Sequence, residues 1–211
     1  ITRHSTGIYG GAPPVWSPDG SSIYFLANDP PTDAERERER LRDDVYVFEQ
    51  DFRQHHLWKI AVDTGVEQKL TDGPFSILWF HVSADGTRIL EQRAPSPLFE
   101  DLGRGETWIS DATGQNARQI TFNSIEEIDG ELSPDNTQVL FTAEASPKLE
   151  PNYAWTLFTV PAAGGTPTMT LPDLPYAIER AAWAPDSRTI FGLVNMGAHS
   201  EIFRIDVAAQ T

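Results

Sequence analysis

Ser83-Ala84-Asp85-Gly86 is one of four related tetrapeptides that determine how this 211-residue chain folds. An aliphatic residue followed by Thr or Pro opens each copy, and the turn aspartate follows 15 residues later in three copies and 18 later in the first. The opening pairs are Ile1-Thr2, Leu70-Thr71, Ile120-Thr121 and Leu171-Pro172, and the other tetrapeptides are Ser17-Pro18-Asp19-Gly20, Ser133-Pro134-Asp135-Asn136 and Ala184-Pro185-Asp186-Ser187. Four copies of one unit predict a repeat architecture.

Each copy has the pattern of four strands, which we name A to D. Strand A ends on an apolar residue just before the turn, and strand B then carries a β-branched residue and a bulky apolar residue in succession. Because neighbouring side chains on a strand face opposite sides of the sheet, this pair predicts a sheet covered on both faces. The strand A ends are Trp16, Val82, Leu132 and Trp183, and the strand B pairs are Ile23-Tyr24, Ile89-Leu90, Val139-Leu140 and Ile190-Phe191.

The A–B turn uses residue types with defined backbone preferences. Pro at its second position sets φ, and Gly or Asn at its fourth position tolerates the left-handed region. We interpret the four aspartates as hydrogen-bond acceptors for their own turns rather than as a catalytic or calcium set. Since each belongs to a different repeat, we expect the aspartates to lie far apart. The aspartates are Asp19, Asp85, Asp135 and Asp186.

Together these patterns predict an all-β fold, a β-propeller with four-stranded antiparallel blades. About four blades are expected in one domain, residues 1–211, with approximate bounds 1–70, 71–120, 121–171 and 172–211. Closed propellers have four to eight blades, and the last copy stops before its strand D. We therefore expect a partial propeller that other blades or another chain complete.

Composition excludes several functions. The formal charge of −15 disfavours binding to nucleic acid and to anionic membranes, and no apolar run is long enough to span a bilayer. The chain has no cysteine, which excludes disulfides, thiolate metal sites and a cysteine nucleophile. The compartment stays open between bacterial periplasm and cytoplasm, with a slight preference for the periplasm.

Four insertions between strands B and C are expected on one face of the propeller, at residues 28–54, 94–106, 144–153 and 195–200. The first should contain one short helix, capped by Thr32 with Glu35 as its capping-box partner. Loops on rigid scaffolds often carry function, so this face is the candidate contact surface, with harmless loop drift as an equal alternative. Its candidate residues are Glu37, Asp43, Asp44, Phe99, Tyr153, Met196 and His199.

Motifs for chemistry are absent from the sequence. There is no Gly-x-Ser-x-Gly elbow and no glycine-rich phosphate loop. His55 and His56 are adjacent on a strand and should face opposite sides, so a shared metal ion is disfavoured. His81 is expected to line the central channel, and the neighbours Glu126 and Glu127 should also diverge. We predict no catalytic residue, cofactor or metal in this chain.

Arg42-Asp43-Asp44-Val45-Tyr46-Val47-Phe48, followed by Asp51-Phe52-Arg53 and His56-Leu57-Trp58, resembles the β-propeller of prolyl oligopeptidase family serine peptidases. The bacterial dipeptidyl and acylaminoacyl types are the most similar, and later stretches such as Asn195-Met196-Gly197 extend the resemblance over the chain. The resemblance implies a seven- or eight-bladed propeller in front of an α/β-hydrolase domain, where it restricts access of oligopeptides to a Ser-His-Asp site.

The function expected from this resemblance is a non-catalytic propeller part of a serine oligopeptidase, whose partners are the hydrolase domain or remaining blades and an oligopeptide substrate. The Ser-Pro-Asp-Gly turns are shared with TolB-like propellers, so a TolB-like protein- or peptide-binding module is the alternative. A propeller lyase acting on acidic sugars is a third class. The acidic charge and the scattered histidines favour it least.

Overall fold

Four antiparallel sheets follow one another along the chain in a computed structural model, which describes residue 4, residues 6–43, residues 45 and 47, and residues 52–209. The proposed opening pair Ile1-Thr2, the contact residue Asp44 and part of the 42–53 stretch lie outside this description. In blade 1, β1 to β4 are Val15–Trp16, Ser22–Asn28, His55–Ala61 and Glu67–Lys69; in blade 2, β5 to β8 are Ser76–Val82, Arg88–Ala94, Glu106–Asp111 and Arg118–Gln119.

Blades 3 and 4 repeat the arrangement. In blade 3, β9 to β12 are Ile128–Leu132, Gln138–Ala145, Pro151–Pro161 and Thr168–Met169; in blade 4, β13 to β15 are Ala177–Trp183, Thr189–Asn195 and Ser200–Asp206. Within each blade, strands that are consecutive in sequence pair with each other. The predicted all-β propeller of about four blades is confirmed, and the described part of blade 4 contains strands A to C.

The core consists of apolar layers between neighbouring blades. Tyr24 of blade 1 packs against Ile77 and Ile89 of blade 2, and Leu90 of blade 2 lies in the next layer with Val139 of blade 3. Leu140 of blade 3 continues the series with Ile178, Trp183 and Ile190 of blade 4. The paired apolar residues of strand B therefore do face opposite sides, one toward the preceding blade and one toward the next.

The A–B turns form as their sequences predict. Gly20 and Gly86 have φ of 70°, and Asn136 and Ser187 adopt the same left-handed region with φ of 59° and 57°. Asp135 Oδ1 accepts hydrogen bonds from Ser133 Oγ at 2.6 Å and from Thr137 N at 3.0 Å. The turn aspartates are therefore acceptors within their own turns, as expected from the pattern.

The turns that carry the aspartates are joined to one another. Asn136 Nδ2 donates to Asp85 Oδ2 at 2.8 Å, which joins the turns of blades 2 and 3. The Asp135 backbone N–H donates to Ser187 Oγ at 3.0 Å and joins the turns of blades 3 and 4. Strand A is the innermost strand of each blade, so the A–B turns of neighbouring blades lie close together. This proximity comes from the radial arrangement of the blades, which the spacing of residues in the sequence does not show.

The start of the fourth copy also needs correction. The backbone N–H groups of Leu70, Ile120 and Thr170 donate to Leu57, Thr107 and Leu157 at 2.8 to 2.9 Å, so position 170, not Leu171, corresponds to Leu70. The following Thr has a structural role, because Thr71 Oγ1 accepts from Leu57 N at 2.9 Å and Thr121 Oγ1 accepts from Thr107 N at 2.8 Å. In the fourth copy, Leu171 occupies the position that corresponds to Thr71 and Thr121.

The insertions differ in structure. The first contains the helix α1, Asp33–Leu41, whose N-terminus has the predicted capping box of Thr32 and Glu35. The second contains a 3-10 helix, Phe99–Arg104. The third is an extension of the β10–β11 hairpin, and residues 195–200 form a tight turn in which Met196 N donates to His199 O at 2.8 Å. In the described part of the chain, no helix is long and apolar enough to cross a membrane.

Candidate contact face and channel

The channel wall is built from the inner strands of the blades. It borders a cavity of about 530 Å³ whose lining includes Trp79, His81, Gly130, Glu131 and Arg180. The register of β5, β9 and β13 shifts at one point in each strand. Such bulges bend a strand and re-aim side chains.

Trp79, at the bulge of β5, connects blades 2 and 3. Its Nε1 donates to Glu127 O at 2.8 Å, and its ring covers Gly130, where a Cβ would lie 2.1 Å from Trp79 Cη2. Only glycine fits at position 130. His81 lines the channel as predicted, its Nδ1 accepts from Leu132 N at 3.3 Å, and burial lowers the pKa of His81 to about 4. His81 is therefore neutral at neutral pH.

The first cleft, about 950 Å³, lies between α1 and the second insertion, and Arg53, His55 and Pro97 are among its lining residues. The predicted contact residue Asp43 lies in this cleft. Charged groups here pair with one another: Arg53 Nε lies 3.2 Å from Glu35 Oε1 and Arg38 Nε lies 3.5 Å from Asp43 Oδ2. These carboxylates are thus already neutralised by neighbouring guanidinium groups.

The second cleft, about 340 Å³, lies beside the extended β10–β11 hairpin. Its walls include Glu126, Glu144, Tyr153 and Trp155, with the buried Ile125 at its base. Glu144 and Trp155 are partners in the β10–β11 register, so their side chains share one face. The predicted contact residue Tyr153 is 99% exposed. Among the described residues, neither glutamate has an ion-pair partner, in contrast to the first cleft.

The remaining candidate contact residues are dispersed. Glu37 pairs with Arg40 on α1 at 2.6 Å, and Phe99 is exposed on the 3-10 helix. Met196 packs against the blade 4 core, and His199 Nε2 lies 2.9 Å from Glu201 Oε1. The described candidate residues thus lie on several different elements: α1, the 3-10 helix, the extended hairpin and the blade 4 turn. Sequence reasoning missed Glu144 and Trp155 as cleft residues, because their proximity depends on the register of the β10–β11 hairpin.

His55 and His56 diverge as predicted. The His55 ring stacks on Tyr9 with centroids 4.0 Å apart, whereas His56 Nδ1 lies 3.2 Å from Thr71 Oγ1. His56 nevertheless approaches Asp29 and Asp72, with one potential metal-binding atom from each residue lying within 4.8 Å of the others. Lys69 Nζ lies 2.7 Å from Asp29 Oδ1 and 2.5 Å from Asp72 Oδ1. The ammonium group of Lys69 thus balances the negative charge of the Asp29 and Asp72 carboxylates.

Glu127 is a buried carboxyl group just before β9, the first strand of blade 3. It is fully buried and accepts hydrogen bonds from the hydroxyls of Thr107 and Thr121 and from Asn123 Nδ2. Burial raises the pKa of Glu127 to about 7, and the three donors limit that rise. Its neighbour Glu126 is exposed in the second cleft, so the predicted divergence of this pair is confirmed. Glu127 joins strand C of blade 2 to the start of blade 3.

No family model matches the chain, and no curated protein matches it. Solved structures do, and their likeness concerns the fold. Prolyl oligopeptidase B from Galerina marginata aligns with a TM-score of 0.60 at 10% identity over 93% of this chain and 26% of that one. TolB from Acinetobacter baumannii gives 0.56 at 16% identity over 92% and 40%.

Oligogalacturonate lyase from Vibrio parahaemolyticus gives a TM-score of 0.64 at 12% identity, over 94% of this chain and 50% of that one. The chain thus spans between about a quarter and a half of each of these three proteins. It is a β-propeller chain of about four blades. Its structural neighbours include prolyl oligopeptidase family propeller domains and TolB propellers.

Proposed function

We propose that this chain is the non-catalytic propeller part of a serine oligopeptidase, where it limits access of peptides to an α/β-hydrolase domain and docks that domain. The proposal that further parts of the protein cover the described blades rests on one observation. Tyr24, Leu90 and Leu140 occupy the same repeat position and are at most 1% exposed, but their counterpart Phe191 is 45% exposed. Each of the first three is buried by the blade that follows.

The outer face of blade 4 has the character of a blade interface. Ile202 is 74% exposed and pairs in register with Leu193, beside Phe191 on the same strand, so the three apolar side chains share one face. Contiguous exposed apolar surface usually marks an interaction site. We expect further blades of the same propeller to cover this face of blade 4, because each of blades 1 to 3 packs an equivalent face against the next blade.

The proposed gating role is supported by the channel and by the contact face. The described inner strands border a cavity of about 530 Å³ lined by both apolar and polar residues, and a larger cleft of about 950 Å³ lies beside the first insertion. A closed propeller of this kind would admit an extended oligopeptide and exclude a folded protein. The hydrolase domain would supply the nucleophile, its base and the oxyanion hole, while this chain contributes access and docking.

Thiol labelling tests whether remaining blades cover the open face. The chain contains no cysteine, so Ile202→Cys introduces a single reactive probe. We expect rapid labelling in the 211-residue chain and protection of roughly ten-fold or more in the longer polypeptide that the proposal requires, because burial excludes the reagent. Gln115→Cys, on the exposed C–D turn of blade 2, is the matched control and should label equally in both. Equal labelling of Ile202→Cys in both would contradict the proposal.

Activity gives a separate test. The purified chain should not hydrolyse a chromogenic peptide, whereas the longer polypeptide should do so and lose activity with a serine-directed inhibitor. Inhibitor-sensitive turnover by the 211-residue chain alone would show that the non-catalytic assignment is wrong.

A TolB-like binding propeller is the second candidate, supported by the fold likeness to TolB and by the clefts on the insertion face. The coding sequence beyond Thr211 separates the two candidates. A Gly-x-Ser-x-Gly motif within a few hundred residues favours the peptidase. A stop codon after one or two further blades favours the binding module.

A further inference from the structure

Four side chains meet at the end of blade 1 that carries the first insertion. Asp29 directly follows β2, His56 lies in β3, Lys69 is the last residue of β4, and Asp72 lies on the connection to blade 2. The pairing of β3 with both β2 and β4 brings these residues together. One potential ligand atom from each of the two aspartates and the histidine lies within 4.8 Å of the other two.

A buried ring nitrogen of His56 is the observation that points to a ligand. His56 is fully buried, and its Nε2 has no hydrogen-bond partner among the described residues. Nδ1 lies 3.2 Å from Thr71 Oγ1, whereas Nε2 faces the Asp29 carboxylate at 3.5 Å from Oδ2, longer than an ordinary hydrogen bond. Buried polar atoms without a partner are rare and costly in folded proteins. This nitrogen, beside two carboxylates, indicates a place for a bound cation.

Lys69 fills this place only in part. Its Nζ lies 2.7 Å from Asp29 Oδ1 and 2.5 Å from Asp72 Oδ1, and so satisfies the carboxylates but leaves His56 Nε2 without a partner. The Lys69 side chain is 25% exposed and that of Asp72 is 82% exposed. The ammonium group therefore has a path into solvent, and Asp72 is free to adjust to a different cation.

We propose that Asp29, His56 and Asp72 bind a divalent transition-metal ion of the zinc type. Binding displaces the Lys69 ammonium group into solvent. Imidazole nitrogen and carboxylate oxygen are ligands that zinc takes in proteins, and water completes the coordination. Thr71 Oγ1 accepts the proton of His56 Nδ1, which leaves the Nε2 lone pair for the metal. Such an outer contact is usual for a histidine that ligates a metal.

Charge and ligand type both favour such an ion. Two carboxylates and one ammonium group retain one negative charge, whereas two carboxylates and a divalent ion are neutral, and uncompensated charge is costly near a buried side chain. Calcium and magnesium prefer oxygen ligands alone, so the nitrogen of His56 favours a transition metal. The sequence disfavoured a metal shared by His55 and His56, and this site uses only His56. The inference goes beyond the proposed function and does not depend on it.

Calorimetric titration of the 211-residue chain with Zn²⁺ at pH 7 tests the site. We expect one saturable Zn²⁺ site. His56→Asn should weaken Zn²⁺ binding by roughly ten-fold or more, because even the loss of an outer contact to a metal ligand has an effect of this size. His199→Asn, in an exposed pair with Glu201, is the matched control and should leave Zn²⁺ affinity unchanged. Absence of a saturable site, or an equal loss in both histidine variants, would overturn the assignment.

Lys69→Met tests the competition between the ammonium group and the metal. It should tighten Zn²⁺ binding roughly ten-fold, because a larger fraction of the chain is then ready to accept the ion. Lys148→Met, at an exposed position, changes the net charge equally and should leave Zn²⁺ affinity unchanged. Weaker or unchanged Zn²⁺ binding in Lys69→Met, or an equal gain in both lysine variants, would contradict the proposed displacement.

Asp72→Asn keeps the test decisive if His56→Asn does not fold. The Asp72 side chain is largely exposed, so its replacement should leave the circular dichroism spectrum unchanged. It removes one carboxylate ligand and should weaken Zn²⁺ binding roughly ten-fold. Full Zn²⁺ affinity in folded Asp72→Asn would show that the ion binds elsewhere on the chain.

Discussion

Trp16 and Trp183 end strand A in the first and fourth repeats, yet Trp16 is 58% exposed and Trp183 is 8% exposed. Trp183 packs against blade 3, and its Nε1 lies 3.3 Å from Glu131 O. No described blade precedes blade 1, so the equivalent indole of Trp16 remains in solvent. The same residue type at the same repeat position thus reports where a neighbouring blade is present.

This pair gives a matched test of inter-blade packing. Trp183→Ala should lower the free energy of unfolding by about 3–5 kcal/mol, because it leaves a cavity between blades 3 and 4. Trp16→Ala should change it by less than about 1 kcal/mol in the 211-residue chain, because most of the indole is already hydrated. Urea unfolding followed by circular dichroism measures both. Similar costs for the two variants would mean that the blade 3–4 interface is not formed as described.

Two buried threonines that follow strand D at neighbouring repeat positions, Thr71 and Thr170, provide a second matched pair. Thr71→Val should destabilise the chain by about 1–3 kcal/mol, because Val keeps the shape but leaves the buried Leu57 N–H without its Oγ1 acceptor. Thr170→Val should be neutral or stabilising, since the buried Thr170 hydroxyl has no hydrogen-bond partner. Thermal denaturation of the two variants provides the comparison. A larger loss in Thr170→Val than in Thr71→Val would contradict these roles.

Glu127 should make the stability of the chain depend on pH. Burial raises its folded-state pKa to about 7 from the ordinary glutamate value of 4.5, so between these values the folded chain binds more protons than the unfolded chain. The resulting contribution to stability is fully present below about pH 4.5 and is lost as pH rises through about 7. Glu127→Gln removes this titration.

The measurement is the difference in free energy of unfolding between the original chain and Glu127→Gln, followed from pH 5 to pH 8. The difference should shift in favour of Glu127→Gln as pH rises. Glu100→Gln, which removes an exposed carboxylate on the 3-10 helix, is the control for the change of net charge. A pH-independent difference for Glu127→Gln would show that the carboxyl group ionises normally in the folded chain.

Asp135 tests the turn chemistry. Its Oδ1 accepts from Ser133 Oγ, and from both Thr137 N and Thr137 Oγ1, and these bonds lower its pKa, with the Ser133 hydroxyl the largest cause. Asp135→Ala should cost about 1 kcal/mol through loss of this network. Asp135→Asn keeps an oxygen acceptor and should cost less. An unchanged melting temperature in Asp135→Ala would count against the assigned role.

Much of the fold could be predicted because its signals are local. The A–B turns require particular residues at fixed positions, as Asn136 illustrates with its left-handed backbone, and α1 begins at the predicted Thr32 cap. Successive apolar residues, such as Ile89-Leu90, also identified strands with two buried faces. These features depend on a few consecutive residues, which the sequence displays directly.

The candidate site was less accessible to sequence reasoning. Tyr153 and Asp43 were expected on the contact face, and each lines a cleft, but the partners that define those clefts come from other elements. Glu126 reaches the second cleft from the connection between blades 2 and 3, while Trp155 reaches it from β11. Their proximity depends on how the blades pack, and no spacing in the sequence encodes it.

The sequence by itself determined the repeat, the turns, the strand order within each blade and the capped helix, because hydrogen bonding and side-chain alternation act over short distances along the chain. Only the tertiary structure decided which carboxylates are neutralised and which are free. Contacts between strands and blades decide three cases: Glu91 forms an ion pair with Arg93, Glu127 accepts hydrogen bonds from threonine hydroxyls, and Glu144 has no ion-pair partner among the described residues. Electrostatic environment is a property of assembled surfaces, so identical residue types acquire different roles once the blades stack.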